Sequence, residues 1–368
     1  MTEGVYSGKD SAKVVHPGRI LCQALNEMGI SQKELSDAIG KSAPVINDII
    51  KGKRNISPEI AYMLEAVVEG ITAEDWLALQ DQYDLAKIRE DKELVKRKEI
   101  IKSWNRLKIV LNLAYLKKKI GLTGSLEGNV SHVCKYFGVD NVDAITKLSS
   151  DVQAYFHKSS KQQTDSVNLM TWMIIVRKRS NDETLSNRFT KKNIESMIQE
   201  LNLIFYWNKN TAAQVKRTLN RYGIKYIEEK NLERTPVDGY SFWDGENPTI
   251  AVTKRYNRID NYAFAIMHEL GHIMLHLSAD KTQNFVDSES PNDEDEKEKE
   301  ANDFAVASLR ENVPLEDYFI KWHNPFSAKG EIIRISNKYM INRSIITGQF
   351  QHYKNSYAIC RDLLDPIL

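Results

Sequence analysis

Apolar and polar residues alternate along the first part of the chain with the spacing expected for a run of short helices. Ser31 and Glu34 form a capping-box pattern at the start of one helix, which Gly40 ends. Ser42 begins a second helix, which carries apolar residues three and four apart and ends at Gly52. The sequence therefore predicts two short helices joined by a tight turn that contains glycine.

Two helices in this arrangement form a helix-turn-helix, whose second helix enters the major groove of DNA with its N-terminus first. We expect these residues of the second helix to lie near base edges: Ser42, Ala43, Val45, Asn47 and Asp48. We expect these flanking residues to lie near phosphates: Gln32, Lys41, Lys51, Lys53 and Arg54. The alternative interpretation is an ordinary helical bundle whose lysines are solvated.

Residues 91–215 are predicted to be mostly helical, with polar breaks at 158–166 and 179–187. The first part, 91–120, has a net charge of +7 and the pattern of a long basic amphipathic helix. Its lysines could extend a DNA footprint, although a charged face of this kind is more often simply solvated. We therefore interpret this region as a helical linker.

The pattern changes from residue 216 onward, where strands and helices are mixed. Three short strands are predicted within 224–232, 237–245 and 247–255, separated by Asp-Gly and Asn-Pro turns. A strongly apolar helix follows at 258–277. The chain is therefore expected to be α+β, mainly α, with helical N-terminal and middle regions and a small sheet near the C-terminus.

The composition excludes several classes of protein. Of 368 residues, 42% are hydrophobic and 27% are charged, which is ordinary for a chain that forms packed cores. No apolar run has the length of a membrane span and the N-terminus has no apolar signal core, so we expect a cytoplasmic protein with no membrane partner. The three cysteines, Cys22, Cys134 and Cys360, fit neither a disulfide framework nor a cysteine-rich metal site.

The apolar helix at 258–277 contains the sequence HELGH. His268 and His272 are four residues apart, so both imidazoles share one helix face and can reach one Zn²⁺ ion. Glu269 lies beside the open coordination position and can accept a proton from water that attacks a carbonyl. His276 is expected to have a packing or supporting role, because it is too far from the first histidine to bind the same ion. A buried histidine pair with ordinary partners is the alternative.

A third zinc ligand has to come from downstream, where the acidic stretch 287–300 runs into a helical pattern. Glu300 adjoins the apolar stripe of that helix and is our choice of ligand. Two nearby carboxylates remain open as alternatives: Glu296 and Asp303. Two others are expected to be solvated: Glu294 and Glu298.

The run from His16 to Val67, followed by EDWLALQDQYDL, resembles the Cro/C1-type helix-turn-helix domain, and most of all the subgroup found in HigA-type antitoxins. The opening HPG, the turn KGKR and the motif ISPE carry this resemblance. It implies a homodimer that binds palindromic double-stranded operator DNA, and a cognate toxin as a further partner. The recognition helix, SAPVINDII, differs from its relatives, so the operator sequence does not carry over.

The stretch NYAFAIMHELGHIMLH, with EKEANDFA after an acidic loop, resembles the ImmA/IrrE family of zinc metallo-endopeptidases. The resemblance implies a zincin-like domain in which His268, His272 and Glu300 bind Zn²⁺ and Glu269 is the base. It also implies a protein substrate, namely a repressor or an antitoxin-like protein whose cleavage relieves transcriptional repression. The ligand helix ends differently from the family pattern, in FAVASLRENVP, so the substrate groove is expected to differ.

Together these observations predict a tail at 1–15, a helix-turn-helix DNA-binding domain at 16–90, a helical linker region at 91–215 and a peptidase domain at 216–368. We expect a DNA-binding transcriptional regulator with a zinc-dependent endopeptidase. One rival is an antitoxin or repressor whose peptidase fold only senses or docks a partner. Another is a housekeeping peptidase that its helix-turn-helix merely recruits.

Overall fold

The computed structural model describes these residues of the chain: 14–156, 165–288, 296–311, 313–322 and 325–368. Three predicted features fall wholly or partly outside these ranges: most of the tail, most of the polar break at 158–166, and the part of the acidic stretch that contains Glu294. The chain divides into two compact units between Lys102 and Ser103.

The described part of the first unit is helical. Its helices, the last of which spans the boundary, are α1 (Pro17–Met28), α2 (Gln32–Ile39), α3 (Ala43–Ile50), α4 (Pro58–Glu65), α5 (Ala73–Glu90) and α6 (Lys92–Val110). The apolar faces of α1 to α5 meet in one core, which contains these fully buried residues: Leu21, Leu35, Ile46, Ile49, Leu64 and Trp76.

The predicted ends of α2 are confirmed. The Ser31 hydroxyl accepts a hydrogen bond from the backbone N–H of Glu34, and the Glu34 carboxylate accepts one from the backbone N–H of Ser31. Gly40 ends α2 with a φ of 65°. The next helix, α3, ends two residues earlier than predicted, because Gly52 has a φ of 70° and the chain turns there.

The second unit combines helices with a small sheet. After α6 its helices are α7 (Leu113–Ile120), α8 (Leu126–Phe137), α9 (Val142–Phe156), α10 (Ser166–Asn181), α11 (Ile194–Trp207), α12 (Thr211–Arg221), α13 (Ile259–His272), α14 (Glu296–Arg310), α15 (Leu315–Lys321), α16 (Pro325–Tyr339) and α17 (Arg343–Tyr353). Its strands are β1 (Lys225–Glu228), β2 (Val237–Asp244), β3 (Asn247–Val252) and β4 (Asn284–Ser288).

The sheet confirms the three predicted strands and adds a fourth. Within the described residues its order is β1-β3-β2-β4, with β1 parallel to β3 and β2 antiparallel to both of its neighbours. The strand that the sequence analysis missed, β4, lies at the edge of the sheet beside β2. In that pairing Asp287 lies opposite Gly239 and Phe285 lies opposite Ser241.

Two cores enclose the sheet, one on each face. On one face Tyr240 and Phe242 pack with the middle helices, in a cluster that contains Trp172. On the other face Tyr226 and Ile250 pack with α13 and the later helices. The region predicted as a helical linker therefore shares a core with the sheet, because its helix α10 is buried over most of its length.

Candidate metal centre and DNA-binding surface

The motif HELGH lies at the C-terminal end of α13, deep in the second unit. Side chains His268, Glu269 and His272 are exposed by 1%, 0% and 0%, in a helix whose apolar residues pack on both sides of them. After the second histidine the chain continues as a π-helical turn, Ile273–Leu277, which carries His276. Three ionisable groups are therefore held away from water on one helix, and buried ionisable groups require partners.

Two of these groups converge on a third residue from α14. The Nε2 atoms of His268 and His272 are 3.0 Å apart. The Glu298 carboxylate faces both of them, with Oε2 3.3 Å from Nε2 of His268 and Oε1 3.5 Å from Nε2 of His272. One ligand atom from each residue lies within 4.8 Å of the others. Two imidazoles and a carboxylate that converge in this way form a suitable donor set for zinc.

The structure does not place Glu300, the residue chosen from the sequence, beside the two motif histidines. Its side chain is 52% exposed and lies 3.7 Å from Nε2 of His276, away from the two motif histidines. The buried face of α14 is formed by Ala301, Ala305 and Leu309. Glu298 lies three residues before the first of these and seven before the second, so helical periodicity places it on that face.

Exposure also separates the other candidates for the third ligand. These are the two open alternatives, Glu296 and Asp303, and Glu298, which was expected to be solvated. Glu296 and Asp303 are exposed, whereas Glu298 is partly buried and its side chain is only 19% exposed. The signal was present in the sequence, since Glu298 has the helical spacing of the apolar stripe. It was missed because the stripe was extended through Phe304, which lies at the edge of the buried face.

Glu269 occupies a space that the sheet leaves for it. A Cβ atom at Gly239 of β2 would overlap the Oε1 atom of Glu269, so glycine is required at this position. Neither carboxylate oxygen of Glu269 has a hydrogen-bond partner among the described residues. Burial raises the pKa of Glu269 well above its usual range, against the opposing effect of His268. The carboxyl group is therefore positioned as a proton acceptor that a nearby cation would return to its ionised form.

A second acidic residue that the sequence analysis missed approaches from β4. A carboxylate oxygen of Asp287 lies within 4.8 Å of both a ring nitrogen of His268 and a carboxylate oxygen of Glu269. It reaches them because Asp287 lies opposite Gly239, on the sheet face that α13 covers. Burial raises the pKa of Asp287. Asp287 therefore adds a second buried carboxyl group beside Glu269.

The charges of the ligand set depend on one another. Burial lowers the pKa of His268, but Glu298, Asp287 and Glu269 outweigh burial and raise it to about 9. Burial lowers the pKa of His272 to about 4 against the opposing effect of Glu298. Burial raises the pKa of Glu298, but the two histidines outweigh it and lower the pKa to about 2. Carboxylates thus draw positive charge into the pocket.

These residues fit a zinc ion on an observation independent of any family. Both carboxylate oxygens of Glu269 lack hydrogen-bond partners among the described residues, although both atoms are buried. The imidazole nitrogens of the two histidines face each other instead of separate partners. A divalent cation bound by His268, His272 and Glu298 would give the two facing imidazole nitrogens a common partner.

The predicted DNA-binding residues are all at least partly exposed in the first unit. Gln32, Ser42 and Ala43 are exposed, and Val45 and Asn47 are partly exposed. Ser42 begins α3 without a capping hydrogen bond from its side chain, so its hydroxyl is not engaged in holding the helix end. The buried residues of the same helix are Ile46 and Ile49, which point into the core.

The predicted phosphate contacts surround the same helix. Lys51, Lys53 and Arg54 are exposed in the turn that follows α3. Lys41 is instead partly buried and forms an ion pair with Glu59, at 2.8 Å. The structure therefore places four cationic side chains around the N-terminal and C-terminal ends of α3, and one of them already has a carboxylate partner.

Comparison with known proteins now assigns both units. Residues 23–74 match the helix-turn-helix family and residues 219–318 match the IrrE N-terminal-like domain. Virulence-associated protein I of Dichelobacter nodosus is 34% identical over 92 residues, which are 25% of this chain and 84% of that protein. The chain belongs to the helix-turn-helix family and carries an IrrE-like peptidase domain. Both resemblances seen in the sequence are confirmed, as is the mainly helical fold with a small sheet.

Further relatives match a similar length of this chain. Virulence-associated protein A' of Dichelobacter nodosus is 36% identical over 75 residues, which are 20% of this chain and 65% of that protein. The uncharacterised HTH-type transcriptional regulator YddM of Escherichia coli is 26% identical over 85 residues, 23% of this chain and 89% of that protein. The chain is thus a DNA-binding helix-turn-helix regulator to which a domain of a metallopeptidase family is joined.

Solved structures give partial matches. The Pseudomonas aeruginosa antitoxin HigA with the higBA promoter has 38% identity, covering 20% of this chain and 82% of that one, with a TM-score of 0.20. A HigA-family addiction module antidote protein from Coxiella burnetii has 28% identity, covering 23% of this chain and 92% of that one, with a TM-score of 0.21. Scores this low support no argument about function. Among the helices of the described residues, none is long and apolar enough to cross a membrane.

Proposed function

We propose that the protein is a cytoplasmic transcriptional regulator whose zinc-dependent endopeptidase domain cleaves a repressor or antitoxin-like protein and so relieves repression. The observation that carries the proposal is the buried convergence of His268, His272 and Glu298 beside the unpartnered carboxylate of Glu269. The helix-turn-helix would bind palindromic double-stranded operator DNA as a homodimer, through the exposed start of α3 and the turn that follows it. A cognate toxin is a further partner in this proposal.

The residues of this chain divide the work of the peptidase. His268, His272 and Glu298 would hold the ion, and bound zinc would supply the Lewis acidity that favours attack of water on a peptide carbonyl. Glu269 accepts the proton that water loses as its oxygen bonds to the carbonyl carbon. Glu269 then delivers that proton to the departing amine nitrogen as the C–N bond breaks. Because Glu269 is fully buried, bulk water does not compete for this proton.

A second candidate function is supported by the same burial. Glu269 and His272 are exposed by 0%, and a second carboxyl group, that of Asp287, lies beside Glu269. A closed pocket of this kind suits an antitoxin-like repressor whose peptidase domain senses a ligand or docks a partner without cleaving it.

Substitution Glu269→Gln separates the two functions. The amide keeps the size of the side chain but cannot accept a proton at neutral pH, and loss of a general base typically costs about 10²- to 10⁴-fold in rate. We expect this variant to retain zinc and operator binding but to lose cleavage and derepression in the host under inducing stress. The measurement is transcription of the target operon together with immunoblots of candidate repressors. Derepression and cleavage at the parental level would exclude the proposed peptidase activity.

A further inference from the structure

A contact with a residue outside the ligand set determines which ring nitrogen of His268 carries the proton. Nδ1 of His268 lies 2.9 Å from Oδ1 of Asn302, which is on α14. An amide oxygen can only accept a hydrogen bond, so the proton of the neutral imidazole is on Nδ1. The lone pair of Nε2 is then directed to the side where His272 and Glu298 converge. The Asn302 side chain therefore selects the tautomer that a metal ligand requires.

A second hydrogen bond joins the same part of the chain to α14, and its donor is again an imidazole. Nε2 of His276, which follows α13, lies 3.2 Å from the backbone carbonyl oxygen of Lys297. A carbonyl oxygen only accepts, so this imidazole donates through Nε2 and is not available there to bind an ion. Lys297 immediately precedes Glu298 in the first turn of α14. His276 therefore fixes the backbone next to the third ligand residue.

The two helices are close enough for both contacts because glycine lies between them. Gly271 of α13 faces the backbone of Ala301, whose Cα would be only 3.1 Å from a Cβ atom at Gly271. The two hydrogen bonds lie on either side of this close approach, one donated by His268 of α13 to Asn302 and the other donated by His276 to the backbone of Lys297 in α14.

We propose that Asn302 and His276 are positioning residues that form a reciprocal clasp around the zinc site. Asn302 on α14 orients the ligand His268 on α13, and His276 beyond α13 orients the ligand Glu298 on α14. This inference rests on the proposed zinc site but not on peptide cleavage. His272 has no equivalent support, because its Nδ1 lacks a partner among the described residues and its ring stacks on Phe285 with centroids 4.1 Å apart.

The test measures zinc affinity of the full-length apoprotein by competition with a chromophoric chelator. Asn302→Ala should lower the affinity by about 10- to 100-fold, the usual effect of removing a residue that orients a metal ligand. Asn302→Asp restores an oxygen acceptor and should stay within a few-fold of the parent. His276→Phe should give a smaller loss, since it acts through the backbone, and His276→Gln should recover part of it by restoring an N–H donor.

A second readout distinguishes positioning from a general loss of structure. In ¹⁵N NMR spectra of the zinc-loaded protein, His268 should be protonated at Nδ1 in the parent and in Asn302→Asp. Thermal unfolding of each apoprotein shows whether a variant folds. Parental zinc affinity in Asn302→Ala, or equal losses in the alanine and aspartate variants, would overturn the clasp while leaving the peptidase proposal intact. A parent that binds no zinc would instead overturn the zinc site itself, and with it the clasp.

Discussion

The DNA-binding surface and the metal centre are built in opposite ways. The residues predicted to contact DNA lie between Gln32 and Arg54, within one short segment, and most of them are exposed. The metal centre joins residues from Gly239 to Asn302, on two strands and two helices, and its motif side chains are fully buried. The DNA-binding surface follows from the spacing of exposed and buried positions along one helix. The metal centre also depends on which faces of separate helices and strands contact each other.

The difference has a consequence for how substitutions act in each region. Exposed residues away from caps and cores usually change stability by less than about 0.5 kcal/mol, so substitutions on the DNA-binding surface should affect DNA binding alone. The motif side chains of the metal centre are fully buried, so changes there should affect stability in addition to zinc binding or activity.

The sharpest test of the metal centre compares two glutamates that are two residues apart. Glu298→Ala removes one of three ligands, which share a binding free energy of about 10 kcal/mol or more in zinc sites, so zinc affinity should fall on the order of 100-fold or more. Glu300→Ala should bind zinc as the parent does, because its side chain is 52% exposed and faces His276. Zinc content after dialysis and competition titration measure both.

The glutamate pair is a matched comparison, because both substitutions remove the same charge from the same helix. A zinc loss in Glu300→Ala equal to that in Glu298→Ala would mean that α14 turns a different face, the one with Glu300, toward the motif histidines. It would also restore the assignment that the sequence resemblance implied.

Gly239→Ala tests the contact between the sheet and the base. The added Cβ would overlap the carboxylate of Glu269, so that side chain has to move or β2 has to shift. We expect a stability loss of about 1–3 kcal/mol, as for other overpacked cores, and a loss of proteolytic activity with zinc retained. Gly330→Ala is the control, because a Cβ at Gly330 meets nothing within 4 Å and alanine favours a helix. Equal unfolding temperatures for the two variants would contradict the packing of Glu269 against β2.

Local patterns predicted the first helices, the capping box of α2 and three of the four strands among the described residues. Ser31, Glu34 and Gly40 act within one turn of their own helix, so the sequence alone was sufficient to place them. The two histidines proposed as ligands and the glutamate proposed as the base could be named from the sequence for the same reason, since His268, Glu269 and His272 lie on one helix. The missed strand β4, Asn284–Ser288, runs into the acidic stretch that the sequence analysis treated as a loop.

The remaining parts of the metal centre depend on contacts between elements. Glu298 is distinguished from Glu300 by which face of α14 meets α13, and Asn302 by the closeness that Gly271 permits. Asp287 depends on the register of β4 against β2. The positions of Asp287 and Asn302 at the site require contacts between segments that lie far apart in the sequence, and no local periodicity encodes those contacts, whereas the helical spacing of Glu298 was visible in the sequence.

Lys53→Ala is the corresponding test on the DNA-binding surface. The side chain is exposed and has no predicted base contact, so its loss should weaken binding to all sequences and reduce the salt slope by about one. Asn47→Ala should instead relax the preference for one base pair, which is worth about 1–3 kcal/mol where a good bidentate contact is lost. Fluorescence anisotropy with operator and scrambled duplexes at several salt concentrations distinguishes them. Neither variant should change the zinc content, and a fall in zinc would break the comparison between the two regions.

The smallest expected effect concerns the one predicted phosphate contact that already has a partner. Lys41 pairs with Glu59 at 2.8 Å, and exposed pairs of this kind contribute about 0–1 kcal/mol to stability. Glu59→Ala should therefore barely change the unfolding temperature, but it frees Lys41 and removes a negative charge near the DNA. We expect slightly tighter binding to every duplex and a salt slope steeper by up to about one, whereas Glu59→Ala combined with Lys41→Ala should lose this gain. Unchanged salt slopes in the single variant would show that Lys41 lies outside the DNA contact surface.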